Sequence, residues 1–133
     1  MSLSLKVGPP VGSDELNALF AGAWPDHQQT DFRPILAHAL VYVCAYEGER
    51  LVGFVKVVGD GGRHGFLLDP TVASDRRRKG IGRQLVNRCA EEARRRGVEW
   101  LHVDHGPQLR KFYGACGFSP TEAGLRNLRK ETP

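Results

Sequence analysis

Between Val41 and Val72 the chain carries three β-branched and aromatic segments cut by two short turns, and no other feature restricts the fold as strongly. Val41–Tyr46 is the first segment and Glu47-Gly48-Glu49-Arg50 the turn after it. Leu51–Val58 is the second, Gly59-Asp60-Gly61-Gly62 the next turn, and His64–Val72 the third. Turns this short leave no room for a crossover, so the three strands must be antiparallel neighbours. Pro70 has no N–H for a ladder, which predicts that pairing breaks down near the end of the third strand. The period then changes. Ile81, Leu85, Val86, Cys89, Ala90 and Ala93 form an apolar stripe with helical spacing, Gly97 stops it, and Val98–Val103 reads as strand again. A strand–helix–strand passage predicts that this strand lies parallel to 64–72. The expected class is α/β (α+β), with a mixed, mostly antiparallel sheet flanked by helices.

The remaining elements fit around that frame. Leu3–Val7 alternates as a short strand. Ser13, followed by Asp14 and Glu15, reads as a helix start, with Leu16, Leu19, Phe20 and Ala23 on one face and Trp24-Pro25 as the stop. A second short helix is expected over Asp31–Ala39, with Pro34 in its first turn. Leu109–Cys116 reads as a helix ended by Gly117, followed by a final pair of short strands from Phe118 onward and over Leu125–Arg129. A chain of 133 residues holds one core, so a single domain over 1–133 is expected.

The longest apolar run, Ile35–Tyr46, is interrupted by His38 and is too short to span a bilayer. No basic start followed by an apolar block marks a secretion signal. Cys44, Cys89 and Cys116 are odd in number and not closely spaced, which argues for reduced thiols and a cytoplasmic location. None has zinc-ligand spacing, so no metal is expected, and their apolar settings favour the neutral thiol.

Charge is distributed unevenly. Between Arg76 and Arg96 nine basic residues face only Glu91 and Glu92, while the rest of the chain is net acidic. Glu91–Arg95 and Glu92–Arg96 have the spacing of ordinary helical surface pairs. The start of the segment, Arg77-Arg78-Lys79-Gly80-Ile81-Gly82-Arg83, points to chemistry. The first amides of a helix lack partners and carry the positive end of its dipole. Gly80 and Gly82 let an anion approach the backbone, and the flanking cations add charge-assisted donors. The P-loop pattern is absent. A dinucleotide loop would need a third glycine where Leu85 stands, although Asp104 occupies the place of a ribose-binding acid.

Val72-x-x-x-x-Arg77-x-x-Gly80-x-Gly82 resembles the acetyl-CoA loop of the GNAT superfamily of N-acetyltransferases. Leu109–Phe118 resembles the Tyr-bearing helix of that family with its closing Gly-Phe, and the element order is similar over nearly the whole chain. Ser74 stands where the family often has proline, and Asp104-His105-Gly106-Pro107-Gln108 where it often has a cofactor-contacting asparagine. The resemblance implies a sheet splayed at its parallel strand pair. It implies acetyl-CoA as co-substrate, with the backbone amides of Arg78, Lys79, Gly80, Ile81, Gly82 and Arg83 on the pyrophosphate. Val72 would pair with pantetheine and polarise the thioester carbonyl. Tyr113 would be the general acid for the departing thiolate, and a primary amine, on a small molecule or a peptide, would attack directly.

The acceptor amine must lose a proton before it attacks. Asp69 is the first candidate, with His102, Asp104, the more distant His64 or a water chain as alternatives. Trp24, Asp26, His27, Asp31 and Phe32 are candidates for the acceptor wall. Two other functions stay open: a nucleic-acid-binding module using Arg76–Arg96, for which no recognition-helix or stacking pattern is visible, and a CoA-binding domain without catalysis. The oligomeric state, a homodimer included, is not set by these features.

Overall fold

A computed structural model describes residues 2–130. The chain divides into two compact units, one ending at Val103 and one beginning at Asp104. The first holds β1 (Leu3–Val7), α1 (Ser13–Ala23), α2 (Arg33–His38), β2 (Val41–Glu47), β3 (Arg50–Gly59), β4 (His64–Val72), α3 (Ile81–Arg95) and β5 (Trp100–His102). The second holds α4 (Arg110–Ala115), entered through a 3-10 turn at Pro107–Leu109.

The sheet order is β1-β2-β3-β4-β5, with three antiparallel pairs and one parallel pair, β4 with β5. This is the mixed sheet expected from the strand and turn pattern. Its register explains the helix placement. A Cβ built on Gly53 would lie 2.6 Å from Leu85 Cδ1 and 3.4 Å from Ile81 Cγ2, so α3 packs on the face of β3 that Gly53 presents. Phe54 points the opposite way and meets Phe20 of α1, with ring centroids 5.9 Å apart. The two helices therefore sandwich the sheet.

The stripe predicted for α3 faces the core: Ile81, Leu85, Val86, Cys89 and Ala93 are buried. Leu85 is fully enclosed and abuts Gly53. Leu85→Ala should lower the unfolding free energy by about 2–5 kcal/mol, read as a reduced urea midpoint; an unshifted midpoint would contradict this packing.

Several local expectations need correction. Gly12, not Ser13, is the N-cap of α1 and contributes no side-chain cap. The Ser13 hydroxyl instead accepts the Phe32 amide at 3.0 Å and ties α1 to the start of α2. β5 has three residues rather than six: the Val98 amide still closes the end of α3 on Ala93 O, and Glu99 and Trp100 both donate to Arg63 O. The final strand pair from Phe118 onward and over Leu125–Arg129 does not form among the described residues. Leu125 and Leu128 are exposed there, so no apolar face is available to anchor a strand.

Candidate functional site

Past Val72 the chain makes a 3-10 turn, Ser74–Arg76, and then two left-handed residues, Arg78 (φ 64°) and Gly80 (φ 78°), before α3 begins. At Gly80 the positive φ favours glycine, and a Cβ there would meet nothing within 4 Å, so the space above this backbone is open. Buried Ile81 pins the first turn of α3 to the sheet. The helix's own bonding begins with Gln84 N donating to Gly80 O at 3.1 Å, and no side chain caps the start. The amides of Ile81, Gly82 and Arg83 are therefore the uncapped donors of this helix, at the positive end of its dipole.

The cations of the Arg76–Arg96 segment divide into two groups. Arg88, Arg94, Arg95 and Arg96 are all paired with Glu91 or Glu92, including the expected Glu91–Arg95 (3.6 Å) and Glu92–Arg96 (3.1 Å) contacts. Arg76 pairs with Glu47 and Asp75, and an Arg77 Nη2 donates to Ala23 O at 3.3 Å. Arg78, Lys79 and Arg83 are exposed and, among the described residues, have no carboxylate within 4.0 Å. Unbalanced positive charge is thus concentrated beside the open amides of α3. The later arginines, which would have to extend a nucleic-acid stripe, are each tied to Glu91 or Glu92 on their own helix, which offsets half of their charge.

β4 leads into this loop with one edge free. Its pairing with β5 runs from His64↔Trp100 to Phe66↔His102 and stops. Ala73 N donates to Val52 O across the β3 side, so strand alternation turns the Val72 N–H toward the free edge. The register against β3 shifts between Phe54 and Lys56, opposite Asp69-Pro70. Asp69 adopts φ 56°, an uncommon conformation for a residue with a side chain, and forms a β-bulge. Its carboxylate lies 3.2 Å from the ammonium of Lys56, whose side chain is only 10% exposed. Asp69 is thus the counter-ion of a nearly buried lysine at a bulge next to Pro70.

His64 Nδ1 and His102 Nε2 are 2.8 Å apart, and the His102 ring stacks on Phe66 at 4.7 Å. The strands carrying these histidines were legible, but the pairing was not, because it depends on the β4–β5 register. Lys56 was missed for the same reason: it is one polar residue in a run of apolar ones, and its partner is set by the bulge.

The expected acceptor wall is only partly open. His27 Nε2 bonds Asn17 Oδ1 at 2.8 Å, and buried Phe32 packs on Phe20, so both serve the α1–α2 core. Asp31 is engaged by Arg33, whose guanidinium holds its carboxyl down to about 2. Asp26 and Trp24 are exposed, and Trp24 Nε1 donates to Thr71 Oγ1 on β4 at 3.2 Å. A cavity of about 350 Å³ beside this helix is lined by Glu15, Leu19, Glu49, Arg50, Ala73 and Ser74.

In the second unit, Tyr113 is buried and stacks on His105 at 4.8 Å, with Phe112 and Phe118 edge-on. Burial, and then Cys116, push its hydroxyl above the usual tyrosine range, so it stays protonated and able to donate at neutral pH. Cys44 and Cys89 are buried, and burial pushes both thiols up to about 12, which leaves neither a nucleophile. No group of three histidine, cysteine or acidic side chains gathers among the described residues to hold a metal. Nor is any helix there long and apolar enough to cross a membrane.

A mixed sheet whose β4 edge lies free leads into an uncapped, cationic helix start, an arrangement of amides and cations suited to an anion. The chain belongs to the acetyltransferase (GNAT) family, whose model matches residues 12–118. It is 25% identical over 118 residues to the GCN5-related N-acetyltransferase 1, chloroplastic, of Arabidopsis thaliana, covering 86% of this chain and 60% of that relative. The chain thus spans less than two thirds of the relative's length. Its fold is similar to a GNAT family acetyltransferase from Streptococcus pneumoniae (TM-score 0.77, 22% identity, 98% of this chain and 100% of the other). It is also similar to an aminoglycoside N-acetyltransferase in complex with CoA (TM-score 0.74, 17% identity, 97% and 95%).

Proposed function

We propose that residues 1–133 act as one acetyl-CoA-dependent N-acetyltransferase domain that acetylates a primary amine by direct attack. The observation that carries this reading is the grouping of three cations without an ion-pair partner among the described residues, Arg78, Lys79 and Arg83, beside the uncapped amides of α3. That site fits a diphosphate in charge, donor geometry and open space. Acetyl-CoA supplies the activated acetyl thioester. The backbone from Arg78 to Arg83 binds the pyrophosphate, with Arg77 beside it. The outward N–H of Val72 gives the pantetheine arm a strand-like partner along the free edge of β4. A fixed amide on that edge can also polarise a carbonyl where negative charge develops. Tyr113 protonates the leaving thiolate. Asp69 shapes the bulge through Lys56 and stands next to the reacting centre.

The acceptor lies on the face of the sheet that carries α1. Phe66 and Leu68 of β4 are exposed on that face, and Trp24 sits over Thr71 further along the strand. The acceptor is accordingly a small-molecule or peptide amine with an apolar portion to cover these side chains. Purified protein mixed with acetyl-CoA and a panel of aliphatic, aromatic, sugar and peptide amines should release free thiol with at least one of them. Saturating acetyl-CoA should also raise the melting temperature. Binding without thiol release would favour a non-catalytic CoA-binding domain. Tight, salt-sensitive duplex binding without a CoA response would favour the nucleic-acid reading.

A further inference from the structure

His64 and His102 share a hydrogen bond across the edge where β4 and β5 part, Nδ1 to Nε2 at 2.8 Å. At that distance one imidazole donates and the other accepts, so at least one ring is neutral and has a lone pair. Both side chains are exposed. The His102 ring is held by its stack on Phe66, at an interplanar angle of 19°. Phe66↔His102 is also the last rung of the parallel pair, so His102 marks the point from which the free edge of β4 runs to Val72. Those six residues extend about 20 Å at ~3.3 Å per residue, comparable with an extended pantetheine arm anchored on the loop beyond. The closed end of that edge, six residues from Val72, is where the thioester would lie, so on this reading the Val72 amide serves the pantetheine arm and an amide nearer His102 polarises the thioester carbonyl. His64, Phe66 and Leu68 share one face of β4, the face proposed to receive the acceptor.

We propose that His102 takes the proton from the acceptor's ammonium and that His64 relays it to solvent; this rests on the acetyltransferase reading. In the competent tautomer, His102 Nε2–H donates to His64 Nδ1, which leaves the His102 Nδ1 lone pair free. An N–H bond of the ammonium breaks, its electron pair stays on the amine nitrogen, and the proton goes to His102 Nδ1. The His102 Nε2 proton moves to His64 Nδ1, and the His64 Nε2 proton leaves to water. One proton enters and one departs, and exchange with water resets the tautomers. The charged groups around the pair are Asp60, which accepts the His64 amide, the Arg63–Glu99 pair at 3.8 Å, and the Lys56–Asp69 pair further along β4. Asp69, the first of the other candidate bases, is already engaged by the Lys56 ammonium.

The test is kcat/KM against pH for the parent enzyme, His102→Gln and His64→Gln, with the best amine of the panel. His102→Gln should lose about 100-fold near pH 7. The loss should shrink steadily as the pH nears the amine's own pKa, where free amine no longer requires a base. His64→Gln should lose about 10-fold at neutral pH and recover in the same way. Melting temperature and the acetyl-CoA-induced shift should match the parent in both. Should glutamine disturb the strand edge, His102→Asn is the second variant. A loss equal at every pH would make the pair structural, and an active parent matched by His102→Gln would remove His102 from the reaction; either overturns the assignment. A parent that releases no thiol from any amine overturns the acetyltransferase reading itself.

Discussion

Reversing two loop charges together, Arg78→Glu with Lys79→Glu, should weaken acetyl-CoA binding by about 100-fold or more at low salt. Two charge-assisted contacts of about 1.5–3 kcal/mol each correspond to roughly two to four decades of affinity, and solvent screening at these exposed positions moves the effect toward the lower end. Repulsion from the new carboxylates adds to the loss. Neither residue has an ion-pair partner among the described residues, and both are exposed, so the fold should be untouched. Calorimetry at two ionic strengths checks both parts: the parent should bind more weakly as salt rises, and the reversed variant should show a flatter or inverted dependence. Unchanged affinity in the double variant would show that the diphosphate is held elsewhere.

Tyr113→Phe should lower kcat by about 100- to 1000-fold while acetyl-CoA affinity stays at the parent value. Phenylalanine keeps the ring and its packing on His105, Phe112 and Phe118, so only the hydroxyl is lost. Burial raises the Tyr113 hydroxyl above its ordinary range, which keeps its proton in place at neutral pH. Steady-state kinetics beside a binding titration separates the two quantities. An unchanged kcat would reduce Tyr113 to a core aromatic, and a lost affinity would mean that the ring positions the coenzyme.

The sheet was legible because its signals are local. Turn residues at 47–50 and 59–62 set the antiparallel neighbours, and the Ile81–Ala93 stripe set the crossover helix. The glycines and cations at 77–83 were legible for the same reason, since an uncapped helix start needs only adjacent residues. What stayed hidden depends on register. The bulge at Asp69 brings Lys56 to the carboxylate, and the three-rung parallel pair brings His64 to His102. Neither juxtaposition has a sequence spacing that announces it. His27 and Phe32 looked like wall residues because aromatic and imidazole side chains suit binding and packing equally. Only the Asn17 and Phe20 contacts show that they pack. The final strand pair expected from Phe118 onward and over Leu125–Arg129 does not form among the described residues, where Leu125 and Leu128 are exposed and leave no shared apolar face.

The most direct measurement is a crystal structure of the protein grown with acetyl-CoA. The pyrophosphate should lie within hydrogen-bond distance of the Ile81–Arg83 amides, with the pantetheine arm along the free edge of β4 past Val72. A diphosphate bound away from those amides, or amides closed by the protein's own side chains, would contradict the account.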